Sequence, residues 1–162
     1  MQTTEFYPTS NKALIAYGDI TCYVTASLEP EHIYYKTTDF DIRVGETYRD
    51  NNFKPKVISP SISGFVAYTN IFDAVKVAKC LNQTGYGDPF PNIVVKCVIP
   101  AGSRYFDGTP RGENLFTAMC AERIKIVAWK KAGAPGGWHT ECNMEEVPDR
   151  YPGCSGIVVE QN

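Results

Sequence analysis

The stretch from Asn92 to Lys130 constrains the fold more than any other part of the chain. It opens on an apolar run, Ile93-Val94-Val95-Lys96-Cys97-Val98-Ile99, and meets the breaker Pro100-Ala101-Gly102. It closes on a second β-branched run, Arg123 to Trp129. Branched side chains lose rotamer freedom in a helix and suit a pleated, half-buried surface, so both runs predict strands. Between them lie Ser103-Arg104-Tyr105-Phe106, a predicted loop Asp107-Gly108-Thr109-Pro110-Arg111-Gly112, and Glu113-Asn114-Leu115, with one acid at the loop exit.

The rest of the chain supplies more strands and one clear helix. Ile20 to Thr25 alternates apolar and polar residues, the pattern of a half-buried strand. Lys12 to Tyr17 precedes it across Gly18-Asp19, which suits a hairpin, although Ala13-Leu14-Ile15-Ala16 also fits a helical turn. His32 to Thr37 is a further strand candidate. Gly45, within Val44-Gly45-Glu46-Thr47-Tyr48, marks a turn that a side chain would resist. Arg49 to Lys56 reads as a polar loop. Pro60 prevents Val57–Ser63 from being a long central strand, and Gly64 to Tyr68 follows as a short one. The helix is Ile71 to Leu81. Asn70 can cap it, Asp73 sits in its first turn, and Ile71, Ala74, Val75, Ala78 and Leu81 share a face that leaves Lys76 and Lys79 outside. Gly85 to Pro89 ends it. Residues 131–162 read as an irregular tail wrapped on the body, with Gly156 to Glu160 as a terminal strand. Mostly antiparallel strands with one helix define an α+β class, and 162 residues suit a single domain, 1–162.

Charge and cysteine usage narrow the function classes. The formal net charge is −2, and no basic run exceeds Lys130-Lys131, which argues against nucleic acid as a partner. No stretch reaches the roughly 20 apolar residues of a membrane span. The polar opening Met1 to Tyr7 predicts no secretory leader and hence a cytoplasmic protein. In that compartment the six cysteines are expected as thiols, with Cys22, Cys97 and Cys120 acting as small buried hydrophobes. An even count also allows disulfides in an oxidising compartment.

Few constellations carry chemistry on their own. Glu145-Glu146 are adjacent and outside a helix, where two acids more often face solvent than each other. His32 and His139 have no motif that would place a cysteine beside either. No phosphate-cradling glycine loop occurs. In the tail, His139, Cys142 and Cys154 form a weak metal set with the spacing His-x2-Cys-x11-Cys, for which Cys120 is the available fourth ligand of a structural zinc. Free thiols with Trp138 packing the loop are the plainer reading.

Two family resemblances gather these elements. Ile93 to Ser103, Gly112-Glu113-Asn114-Leu115 and Arg123-Ile124-Lys125-Ile126-Val127 resemble the last half of a mono-ADP-ribosyltransferase domain. There, a strand and turn lead to a loop bearing Glu-x-Glu, then a final strand. Ala67-Tyr68-Thr69-Asn70 and the helix behind it stand where that family places Ser-Thr-Ser and its following helix. Val44-Gly45-x-x-Tyr48, Gly64-Phe65-x-Ala67, Asn70-x-x-Asp73-Ala74 and Arg123 to Val127 also resemble a family of small phage and bacterial proteins without an assigned activity.

The transferase resemblance implies NAD as cofactor, Glu113 as the catalytic acid, and His32, Tyr68 and Thr69 lining the cofactor cleft. It also exposes a departure. The second glutamate of Glu-x-Glu orients the nicotinamide ribose and stabilises its developing positive charge, yet Leu115 stands there. An aliphatic side chain supplies neither charge nor hydrogen bond, so the electrostatic contribution is lost. The expectation is a small cytoplasmic interaction or regulatory protein, phage-encoded, on a catalytically degraded transferase-like body. It would use a protein partner, with Tyr34, Tyr35, Tyr86, Phe90 and Trp138 as exposed aromatic contacts, while core and strand-face packing is the plainer reading of any single one of them. An active NAD-dependent transferase and a virion component are the alternatives.

Overall fold

Both anchor runs form strands, and they pair with each other. The computed structural model describes residues 6–29, 33–35, 40–57, 62–84, 90–110, 116–133, 136–141 and 156–160. In chain order the elements are β1 (Phe6–Pro8), β2 (Leu14–Ile15), β3 (Ile20–Leu28), β4 (Ile33–Tyr35), β5 (Phe40–Ile42), β6 (Thr47–Asp50), β7 (Phe65–Tyr68) and α1 (Ile71–Thr84). They continue with β8 (Asn92–Ile99), β9 (Arg104–Pro110), β10 (Ala118–Ala121), β11 (Arg123–Lys131) and β12 (Ile157–Val159). Among the described residues, one helix stands with antiparallel strands, which is α+β.

The strands form one hydrogen-bonded sheet in the order β1-β9-β10-β7-β3-β8-β11-β6-β12, with β2 on β9 and the β4–β5 hairpin on β3. β3 and β8 are paired from Ile20↔Ile99 to Ser27↔Asn92. β3 and β7 share only Tyr23↔Tyr68. At that weak seam the sheet curls, and its two parts face each other across the main core.

Strand alternation decides what lies on each side. Ile93, Val95, Cys97 and Ile99 of β8 join Cys22, Val24, Ile124 and Ile126 inside, against Phe65, Ala67, Met119 and Ala121 of β7 and β10. Each fully buried aliphatic side chain there stabilises the fold by about 1.5–3 kcal/mol. The intervening Val94 faces outward and is covered by Ala74 and Ala78 of α1. On the outer side of β7 and β10, Phe6, Phe53, Ile62, Phe106, Ala118 and Cys120 form a second cluster. Gly64 (φ +147°) and Gly108 permit this packing. A Cβ at Gly64 would lie 2.7 Å from Cys120 Sγ, and one at Gly108 would lie 2.1 Å from the Tyr7 carbonyl.

Several expectations change. The helix runs three residues beyond Leu81, to Thr84, and Leu81 is exposed rather than buried. Leu14–Ile15 is a strand, but it pairs with β9 and makes no hairpin with β3. Asp107 to Pro110 is not a loop: it completes β9, held by β1 on one side and β10 on the other. The turn-formers there are tolerated because Gly108 sits under Phe6 and Pro110 ends the strand. Gly45 does take a positive φ (+95°) at the turn before β6, as expected. The strand expected near the C-terminus is β12, zipped onto β6.

Candidate functional site

Tyr68 and Thr69 lie where β7 passes into α1, and both are engaged in holding that junction. Thr69 N–H donates to the Thr117 carbonyl at 3.1 Å, and the Thr69 and Thr117 hydroxyls are hydrogen bonded. Asn70 Oδ1 accepts from Phe72 N–H at 2.7 Å, the expected cap on the first turn. Tyr68 is half-buried, its ring edge-on to Phe116 with centroids 6.0 Å apart. Thr69 thus extends the β7–β10 pairing by one residue, and Asn70 Oδ1 caps the helix. His32 and Glu113 lie outside the described residues, so Tyr68 and Thr69 are the part of the transferase-derived set with a defined place.

The metal set is likewise partly placed. Cys142 and Cys154 lie outside the described residues. His139 is exposed, bridges to Trp129 through both backbone hydrogen bonds (2.9 and 2.8 Å), and lays its ring 4.4 Å from the Trp129 ring. Cys120 belongs to the outer cluster with Phe53 and Phe106, and burial pushes its thiol far up, against the thiolate that zinc requires. Among the described residues no group of three or more His, Cys, Asp or Glu side chains is arranged to hold a metal ion.

The expected aromatic contacts also sort differently. Tyr35 is not exposed; it is 1% accessible, and its hydroxyl donates to the Val66 carbonyl at 2.7 Å. Tyr34, Phe90 and Trp138 are half-buried, and Tyr86 lies outside the described residues. Among the described residues the most exposed apolar side chains are instead Tyr17, wholly accessible, and Phe72, followed by Ile15, Tyr7 and Leu14. Nothing in the apolar run Ala13-Leu14-Ile15-Ala16 signals that Leu14 and Ile15 are exposed.

The most concentrated chemistry on the surface lies on the outer face of β3, β8 and β11, beside α1. Register places Tyr23 beside Lys96, Val98 beside Lys125, and Val94 beside Lys130 on this face. Trp138 folds back over it from the segment after β11. Its ring stacks on Tyr23 at 6.2 Å, and the Lys130 and Lys96 ammonium groups lie 5.0 and 5.8 Å from its centroid. Such cation–π contacts are worth about 0.5–1 kcal/mol each at exposed sites. Helix α1 covers Val94, while Val98 and Lys96 stay half-buried and Lys125 is exposed. Among the described residues, Lys96, Lys125 and Lys130 have no carboxylate within ion-pairing distance.

The neighbouring arginines are different. Glu160, just after β12, accepts from Arg49 Nε (2.8 Å), Arg123 Nε (2.7 Å) and Arg123 Nη2 (2.6 Å). Glu122 adds a looser pair with Arg49 at 3.8 Å, and Arg123 also reaches Ser103 Oγ at 3.3 Å. Hydrogen bonding from Arg123, then from Arg49, holds the Glu160 carboxyl below its ordinary range despite partial burial. This network ties the C-terminal strand to the sheet. Compared with protein-family models, curated proteins and solved structures, the chain finds no match.

Proposed function

We propose that this protein works by binding another protein, on a body of transferase-like element order in which the cofactor-handling residues have been turned to structural use. One observation carries the reading. A sheet face is half covered by its own helix, and the remainder presents lysines around a braced tryptophan. Among the described residues these lysines have no carboxylate partner, and they surround an ordered aromatic side chain, a combination that suits a partner carrying negative charge. The tie between Thr69 and Thr117 supports the second half of the reading, since Thr69 occupies a position where the resemblance expects a cofactor contact.

A second reading, an active NAD-dependent transferase with Glu113 as its acid, draws support from the element order β7–α1–β8, which is the order the resemblance requires. Incubation with labelled NAD and a cell lysate, beside a Glu113→Gln variant, separates the two. The binding reading expects neither transferred label nor released nicotinamide. Transfer that disappears in the variant favours the enzyme. Thermal stabilisation by NAD without turnover would indicate a cleft that binds and does not react.

A further inference from the structure

We infer that the part of the β8–β11 face that no described residue covers, with Lys96, Val98, Lys125 and Lys130 around Trp138, docks an acidic polypeptide segment; the inference rests on the protein-binding reading above. Three features commit the surface to that occupant. First, its cations are lysines that lack carboxylate partners among the described residues, although the chain as a whole has a net charge of −2. Lysines dispersed over the sequence are gathered here by strand register, so the charge is a property of the fold. Second, Trp138 is braced between Tyr23 and two ammonium groups, which gives a partner an aromatic contact with little ordering cost. Third, half-buried Val98 lies beside Lys125, so aliphatic side chains alternating with carboxylates find both of their complements on one face.

A polynucleotide fits less well. The neighbouring arginines, Arg49 and Arg123, whose guanidinium groups suit bidentate phosphate contacts, are already held by Glu160. Three lysines neutralise few phosphates, and the net negative charge opposes a long polyanion. A short acidic segment needs only the contacts present.

The test is an NMR titration of the full chain with a synthetic peptide of aspartate, glutamate and leucine. Its asparagine/glutamine counterpart and a single-stranded oligothymidylate serve as controls. The chain has two tryptophans, and Trp129 Nε1 is tied to the Glu141 carbonyl at 3.0 Å, so the indole resonance that moves should be that of Trp138. Binding should weaken with added salt. It should fall about tenfold in the Lys96→Gln/Lys125→Gln/Lys130→Gln protein and return in the corresponding triple arginine protein. Equal binding of the neutral peptide, preference for the oligonucleotide, or an unchanged affinity in the folded triple glutamine protein would overturn the inference. Photo-crosslinking in cells distinguishes the failures. A protein captured from position 17 and not from position 125 overturns this surface while leaving the binding reading intact. Glu113-dependent nicotinamide release removes that reading itself.

Discussion

Glu160 shows how much of the C-terminal attachment rests on one side chain. Its carboxylate receives three charge-assisted hydrogen bonds from two arginines, and its pKa is lowered for that reason. A carboxyl depressed in the folded state contributes stability that is present above its unfolded pKa and lost as pH falls through the folded value. Glu160→Gln should therefore destabilise by about 1–3 kcal/mol at neutral pH. In urea titrations across pH, the gap from the parent should close below the ordinary carboxylate range. The thiols make a second residue-scale prediction. Cys22 is buried and pushed up to about 12, and burial raises Cys97 and Cys120 as well, whereas Cys80 is exposed on the helix. Of these four, Cys80 should react first with a thiol reagent, and the other three only at the rate of unfolding. Tyr35 was legible as a strand residue, with core packing the plainer reading of its ring and an exposed contact the other. Its burial follows from the β4–β5 hairpin folding onto Phe65 and from the Val66 carbonyl that its hydroxyl satisfies, neither of which is local in sequence. Tyr35→Phe should cost about 1–2 kcal/mol in chemical denaturation, because the Val66 carbonyl loses this donor.

Among the elements, α1 was readable because everything that specifies it is local: a cap at Asn70, an acid at Asp73, and an apolar stripe ending at Ala78. Asn70→Ala should cost about 1 kcal/mol, measured by thermal unfolding, since Phe72 N–H then loses its acceptor. Strand β9 was only half readable. Asp107-Gly108-Thr109-Pro110 has the composition of a turn, and it becomes a strand only because β1 and β10 flank it. Gly108 is present for a packing reason. A methyl group there would collide with the Tyr7 carbonyl and the Phe6 ring. Gly108→Ala should release β1, seen as faster hydrogen exchange at residues 6–9 while the amides of β8 stay protected. The pairing of β2 with β9 rather than β3 was hidden for the same reason. Two short apolar runs across Gly18-Asp19 look like a hairpin until the sheet order is known.

For the molecule as a whole, the α+β class was legible from the β-branched runs and the single helical stripe. The sheet order was not, because eight of the pairings join strands distant in the chain through backbone groups that carry no sequence signature. The candidate surface was illegible for a related reason. Lys96, Lys125 and Lys130 meet only after β8 and β11 pair across the bulge between Ile126 and Ala128. Of the residues suggested by resemblance, Thr69 has its hydroxyl bonded to Thr117, where β7 and β10 pair. The proposal is that the chain acts through a protein partner. The most direct test is the mass of the species it forms when isolated untagged from the cells that make it. The account predicts a stoichiometric complex with a second, different polypeptide, well above the 18.0 kDa of the chain. Elution as the chain alone, at native concentration and physiological salt, would contradict it.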